Sequence, residues 1–252
     1  MRSAARTRRS PGIAAGCGPA HHGDLEGESQ LIIRGMDYQI ISKNSNSEYY
    51  SGDFYPEWTP VAGIHGFPPR PRGSGVEPHY HDNDEFWFWV TGRGEVWLDG
   101  KNLPVGPNSV TYTPMGVVHK FLMHTDFEVV AVITRLERKK RKAHILVEEE
   151  GAPEPTVPGF VVPGDSNAGP FPRRGPRCPL SQLRVVRLDA GEEVAHSAEQ
   201  SNEHWLVLDG QATLTLAPLS FELHPGDVAL MRGGSSWRLQ ALAAARLVYL
   251  QE

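Results

Sequence analysis

The chain has 252 residues, of which 39% are hydrophobic and 22% charged, and Lys+Arg 25 against Asp+Glu 30 gives a formal net charge of -5. That mild acidity speaks against a general nucleic-acid binder, which needs a concentrated basic face for phosphates. No apolar run approaches the roughly 20 residues that cross a bilayer, so a cytoplasmic protein with a small-molecule substrate, and neither nucleic acid nor membrane as partner, is expected.

Residues 1–30 form a tail rich in Gly, Ala, Arg and Ser, without periodicity. It holds Cys17; the second cysteine, Cys178, lies in a later Pro/Gly-rich stretch, and their spacing suggests neither a zinc knuckle nor a redox pair. Leu31–Ile41 reads as a first strand. Tyr49–Gly75 carries many aromatics among prolines and glycines and reads as an ordered, packed loop.

From Gly75 to Thr134 the pattern is all-β. The runs Phe86–Val90, Glu95–Leu98, Ser109–Tyr112 and Glu128–Ile133 are rich in aromatic and β-branched residues. Asp99-Gly100 supplies a hairpin turn. A basic run, Arg135–Lys142, reads as solvated surface. Residues 148–179 are a Pro/Gly-rich connection, because proline lacks the donor that a sheet interior needs. Phe160, Val161, Val162 and Phe171 within it are candidates to clamp it on a domain face.

A second β series runs through Leu183–Leu188, Trp205–Leu208, Ala212–Leu216, Val228–Met231 and Arg246–Leu250. It repeats the grammar of the first. Glu85-x6-Gly92 corresponds to Glu203-x6-Gly210, and Leu103-x-x-Gly106 to Leu223-x-x-Gly226, which indicates a tandem duplication. The expected organisation is a tail (1–30), a first domain (31–147), the connection (148–179) and a second domain (180–252).

His79-Tyr80-His81 sets two imidazoles on one strand face, since strand side chains alternate. Glu85 lies four residues on, and His119 arrives from a later strand. Imidazole and carboxylate donors together suit Mn, Fe, Ni, Co, Cu or Zn. The run Gly73-x5-His79-x-His81-x3-Glu85-x6-Gly92 resembles the first motif of the cupin superfamily. Gly106, Pro114-Met115-Gly116 and His119 resemble the second. The proline lies eight residues after the opening glycine where the family has six, and Met123 stands at the family's common asparagine position.

The resemblance implies two tandem cupin barrels of the jelly-roll type. It implies one divalent transition metal, with His79, His81, Glu85 and His119 as ligands and iron favoured. It also implies a homodimer, since cupins commonly associate through sheet faces. In the second half Ser197 and Glu199 replace the ligand histidines, Arg232 the proline and Trp237 the last histidine. Indole nitrogen is a donor only, so a metal-free second barrel is expected.

Alternation from Glu85 and His119 directs Trp87, Trp89, Phe121 and Met123 into the metal pocket. Phe86, Phe88 and Val90 point to the opposite face, toward the other barrel or another subunit. Glu95 and Tyr112 are the candidates for proton transfer. His65 and Arg70 read as lid or surface residues, and Arg93 as an edge residue or a carboxylate binder. The favoured function is a metal-dependent dioxygenase acting on a small organic substrate. The alternatives are an isomerase or epimerase of a sugar or keto acid, and a non-catalytic ligand-binding protein.

Overall fold

The computed structural model describes residues 32–43, 54–136, 144–147, 154–155, 157–164, 171, 180–196 and 200–252. Both cysteines, Ser197, Glu199 and most of the basic run fall outside them. Secondary structure begins with β1 (Ile32–Arg34), β2 (Tyr38–Ile41), β3 (Val61–Gly66), β4 (Gly75–Tyr80) and β5 (Glu85–Thr91). It continues with β6 (Gly94–Leu98), β7 (Lys101–Val105), β8 (Ser109–Thr113), β9 (His119–Met123) and β10 (Glu128–Thr134). Two short strands follow, β11 (Ile145–Leu146) and β12 (Phe160–Val162). The second series holds β13 (Gln182–Leu188), β14 (Glu193–His196), β15 (Glu203–Asp209) and β16 (Ala212–Leu216). It ends with β17 (Leu219–Leu223), β18 (Val228–Met231), β19 (Trp237–Ala241) and β20 (Ala245–Gln251).

These strands form two jelly-roll barrels, each built from two antiparallel sheets. The first barrel pairs β12-β8-β5-β10-β3 with β11-β4-β9-β6-β7. The second pairs β1-β2-β18-β15-β20-β13 with β14-β19-β16-β17. Strand for strand, β8-β5-β10-β3 repeats as β18-β15-β20-β13, and β4-β9-β6-β7 repeats as β14-β19-β16-β17. Gly92 and Gly210 adopt φ of 92° and 79°, and a Cβ at either would approach backbone within 2.9 Å. Only glycine satisfies both conditions, which is why the Glu-x6-Gly spacing recurs.

Three strands lie where sequence did not place them. Leu31–Ile41, read as part of the first domain, supplies β1 and β2, and Tyr38–Ile41 pairs with Met231–Val228 of the second barrel. The proline-rich connection supplies β12, which pairs with Val110–Tyr112 at the edge of the first barrel's sheet. An edge position tolerates nearby prolines because one side of the strand makes no ladder. Alternation identifies a strand but carries no information about its partner.

Phe86, Phe88, Val110, Tyr112, Val130 and Val132 pack against Leu183, Leu206, Val228, Leu230, Val248 and Leu250 in one buried cluster. The Phe86-Phe88-Val90 face therefore meets the other barrel of the same chain, so a homodimer would use another surface. Tyr55, Trp58 and Phe171 seal this cluster. Arg135 does not behave as solvated surface: its guanidinium donates to the Pro56 carbonyl at 2.9 Å. Among the described residues no helix is long and apolar enough to cross a membrane.

Candidate metal centre

β4 and β9 are neighbours, and their register sets His79 directly opposite His119. β4 ends at Tyr80, and His81 opens a buried loop of Asp82, Asn83 and Asp84 that returns into β5 at Glu85. The ligand atoms of His79, His81 and His119 lie within 4.8 Å of one another. Glu85 Oε2 approaches His119 Nε2 at 3.2 Å and His81 Nε2 at 3.5 Å. All four residues are at most 2% exposed. Four motif residues from three chain segments thus converge at one end of the barrel.

Two of the rings have their tautomer set by the backbone. His79 Nδ1 lies 2.7 Å from the Glu77 carbonyl, and His119 Nδ1 lies 3.0 Å from that of Val117. A carbonyl only accepts, so each Nδ1 carries a proton, and in the neutral ring Nε2 is then the atom with a lone pair. Both Nε2 atoms are buried without a hydrogen-bond partner. Burial, with His119 and His144 beside it, pushes His79 down from 6.5 to about 3. Burial likewise holds His81 well below its usual value, against the opposing pull of Glu85. Imidazole nitrogens and a carboxylate gathered in this way fit a divalent transition ion, since each orphaned Nε2 would gain the partner that burial otherwise denies it.

Asp84, which drew no notice in the sequence, holds this end of the barrel together. Its carboxylate accepts from the Met115 backbone at 2.8 Å and from the Tyr112 hydroxyl at 2.9 Å. Gly116 N donates to the His81 carbonyl at 2.9 Å. The loop before Glu85 and the turn before His119 are thereby tied into one unit. The signal was available in the unusual density of short polar residues in His81-Asp82-Asn83-Asp84-Glu85.

Of the four expected pocket residues, Trp87 and Phe121 flank the ligands. Trp87 stands edge-on to His119 at 5.1 Å and to Phe121 at 4.8 Å between ring centroids. Trp89 and Met123 instead fill the core, about 13 Å along their strands from the ligands. Trp89 is fully buried and donates its indole N–H to Thr111 at 2.9 Å.

Neither expected proton-transfer residue faces the centre. Glu95 lies on the outer face of β6, half exposed and 3.6 Å from His124, while Gly94, Val96 and Leu98 turn inward. Tyr112 pairs with Phe86, not Glu85, and so shares the inter-barrel face. Thr111 and Thr113 are the β8 residues opposite Trp87 and Glu85. His65 is not a lid: it sits in β3 opposite Ala131, which is itself opposite Trp87, and is 7% exposed. Its ring folds back over Gly63, where a Cβ would lie 2.5 Å from its Nε2. Arg70 bridges to Phe127, and Arg93 is exposed on the turn after β5.

One further histidine lies against this cluster. His144 stacks on His79 at 4.3 Å and stands edge-on to His81 at 4.9 Å between ring centroids. It belongs to no motif, and only the folded chain brings it here.

In the second barrel the equivalent carboxylate is engaged by donors. Trp237 Nε1 donates to Glu203 Oε2 at 2.9 Å, and the Tyr249 hydroxyl donates to Oε1. A carboxylate held by indole and phenol has replaced the histidine-carboxylate cluster.

Residues 70–134 match the family model of the cupin domain. The first barrel is a cupin domain. Cupin architecture over the rest of the chain rests on structural likeness. A quercetin 2,3-dioxygenase from Acinetobacter baumannii superimposes with a TM-score of 0.53 at 15% identity, over 88% of this chain and 83% of its own. A mutant of Bacillus subtilis oxalate decarboxylase gives 0.53 at 13% identity, over 91% and 78%. The Escherichia coli pirin YhhW, in complex with nickel(II), gives 0.52 at 11% identity, over 88% and 94%. At these identities the likeness is one of fold. The search of curated proteins by sequence finds no match.

Proposed function

We propose that the first barrel is the active centre of a metal-dependent cupin enzyme acting on a small organic substrate, with oxygen-dependent cleavage as its reaction and iron as its metal. The observation that carries this reading is the convergence of three buried histidines on Glu85, with the Nε2 atoms of His79 and His119 unpartnered. A metal bound there supplies open coordination positions for an exogenous ligand and for charge stabilisation. The second barrel, on this reading, covers the first through the shared core.

The chain's own residues have separable tasks. His79 and His119 are fixed in the ligating tautomer by their backbone bonds, so little reorganisation accompanies ligation. Trp87 and Phe121 offer an aromatic wall that holds an organic substrate and excludes water. Asp84 keeps the two ligand-bearing turns in register. For isomerisation, the placement of Glu95 and Tyr112 removes two candidate bases, so that reading would need another base at the centre. The test combines metal analysis of protein purified without added metal with oxygen uptake during turnover of an active substrate. Stoichiometric iron and oxygen consumption support the reading, whereas turnover without oxygen uptake removes the dioxygenase part.

A further inference from the structure

His144 precedes β11, which joins the edge of β4 through only two residue pairs, Ile145 with Tyr80 and Leu146 with His79. One more step in that register sets His144 opposite His81. The three motif histidines are at most 2% exposed, while His144 is exposed to solvent and its neighbour Leu146 is 50% exposed. His144 therefore occupies the solvent side of the ligand cluster, where a small molecule would approach.

Comparison of the two barrels separates this feature from the shared fold. The second barrel repeats β4-β9-β6-β7 as β14-β19-β16-β17 and, among the described residues, has no strand equivalent to β11. The barrel that gathers the ligands is the one that carries the extra imidazole. A two-residue edge strand is held by few backbone hydrogen bonds, and Ile145 alone anchors it in the core while Leu146 is half exposed, so His144 beyond it is tethered at one point. His79 and His119, by contrast, sit in five-stranded pairing with backbone-locked rings.

We propose that His144 is a displaceable fourth imidazole of the metal centre, competing with small anions and with substrate for its solvent-facing side. The inference rests on the first barrel holding a metal. It differs from a permanent ligand, whose loss would empty the site, and from a packing ring, whose shape alone would matter.

Cobalt(II) is a suitable probe because its visible bands report coordination, and azide serves as the competing anion. The full chain is loaded with cobalt(II) and titrated with azide, alongside His144→Ala and His144→Phe. Phenylalanine keeps the stacked ring and lacks the nitrogen. The expected result is one cobalt per chain in all three proteins, with the same altered spectrum in both variants. Azide should bind both variants about tenfold more tightly, the effect of removing a competitor that closes the site nine-tenths of the time. A Phe variant matching the wild type in spectrum and azide affinity overturns the proposal and leaves His144 a packing ring. Loss of cobalt from both variants also overturns it, since the residue would then be a permanent ligand. Failure of the wild type itself to take up cobalt strikes instead at the metal centre, and the inference falls with it.

Discussion

Trp237 donates its indole N–H to Glu203 Oε2 across 2.9 Å, at the place where the first barrel sets His119 Nε2 3.2 Å from Glu85 Oε2. Both glutamates open the equivalent strand, and both are almost fully buried. In one barrel the carboxylate lies among imidazole nitrogens, a donor set that suits a cation. In the other it faces donors and is already satisfied. Trp237→Phe removes a buried hydrogen bond to a charged group and should cost about 2 kcal/mol of stability. Denaturant unfolding measures this cost, and metal content per chain should not change.

Within the first barrel the ligands should behave as a unit. His81→Ala is expected to abolish stoichiometric metal binding, because it removes one of three convergent nitrogens and leaves Glu85 buried beside a cavity. Elemental analysis of the purified variant checks this. Unchanged stoichiometry would sink the assignment.

Tyr112 and Glu95 test the corrected orientation of the strands. Tyr112→Phe leaves Asp84 without one donor and should destabilise the protein by about 2 kcal/mol, with metal content unchanged. Glu95→Gln should leave both stability and metal content near wild type, since its side chain is half exposed. A loss of metal from either variant would return that residue to the centre.

Acid should weaken the metal-free protein in a defined direction. Burial holds His79 near 3 against an ordinary 6.5, and lowers His81 in the same sense. Between these values the unfolded chain binds protons that the folded chain refuses. The contribution of these rings is therefore fully present above 6.5 and is lost as pH falls toward 3. From about pH 7 to about pH 5 the stability should drop by up to about 1.4 kcal/mol per unit for each such histidine. Thermal unfolding of the metal-free chain at both pH values reads this out, and His79→Gln should flatten the dependence.

The barrels are joined by an ion pair as well as by their core. Arg246 reaches both carboxylate oxygens of Glu128, at 2.7 and 2.9 Å, with about a fifth of each side chain exposed. Bidentate geometry strengthens such a pair and partial exposure discounts it, so Glu128→Gln should cost about 1 kcal/mol. The loss should shrink in high salt, which distinguishes it from a packing defect.

By itself the sequence determined most of the long strands, the repeated Glu-x6-Gly spacing and four candidate ligands, because each depends on short-range geometry. Alternation puts His79 and His81 on one face, and Glu-x6-Gly brings each long strand to a glycine turn. Tertiary structure decided whatever depends on a partner across the sheet. Tyr112 turned away from the metal because its register sets it beside Phe86, a relation between strands that no local period encodes. β2 belongs to the second barrel and β12 to the first for the same reason. His144 reaches the ligands because the chain returns to the edge of β4 after leaving the barrel. The candidate metal centre was legible as four residues, and the fourth imidazole beside it needed the fold.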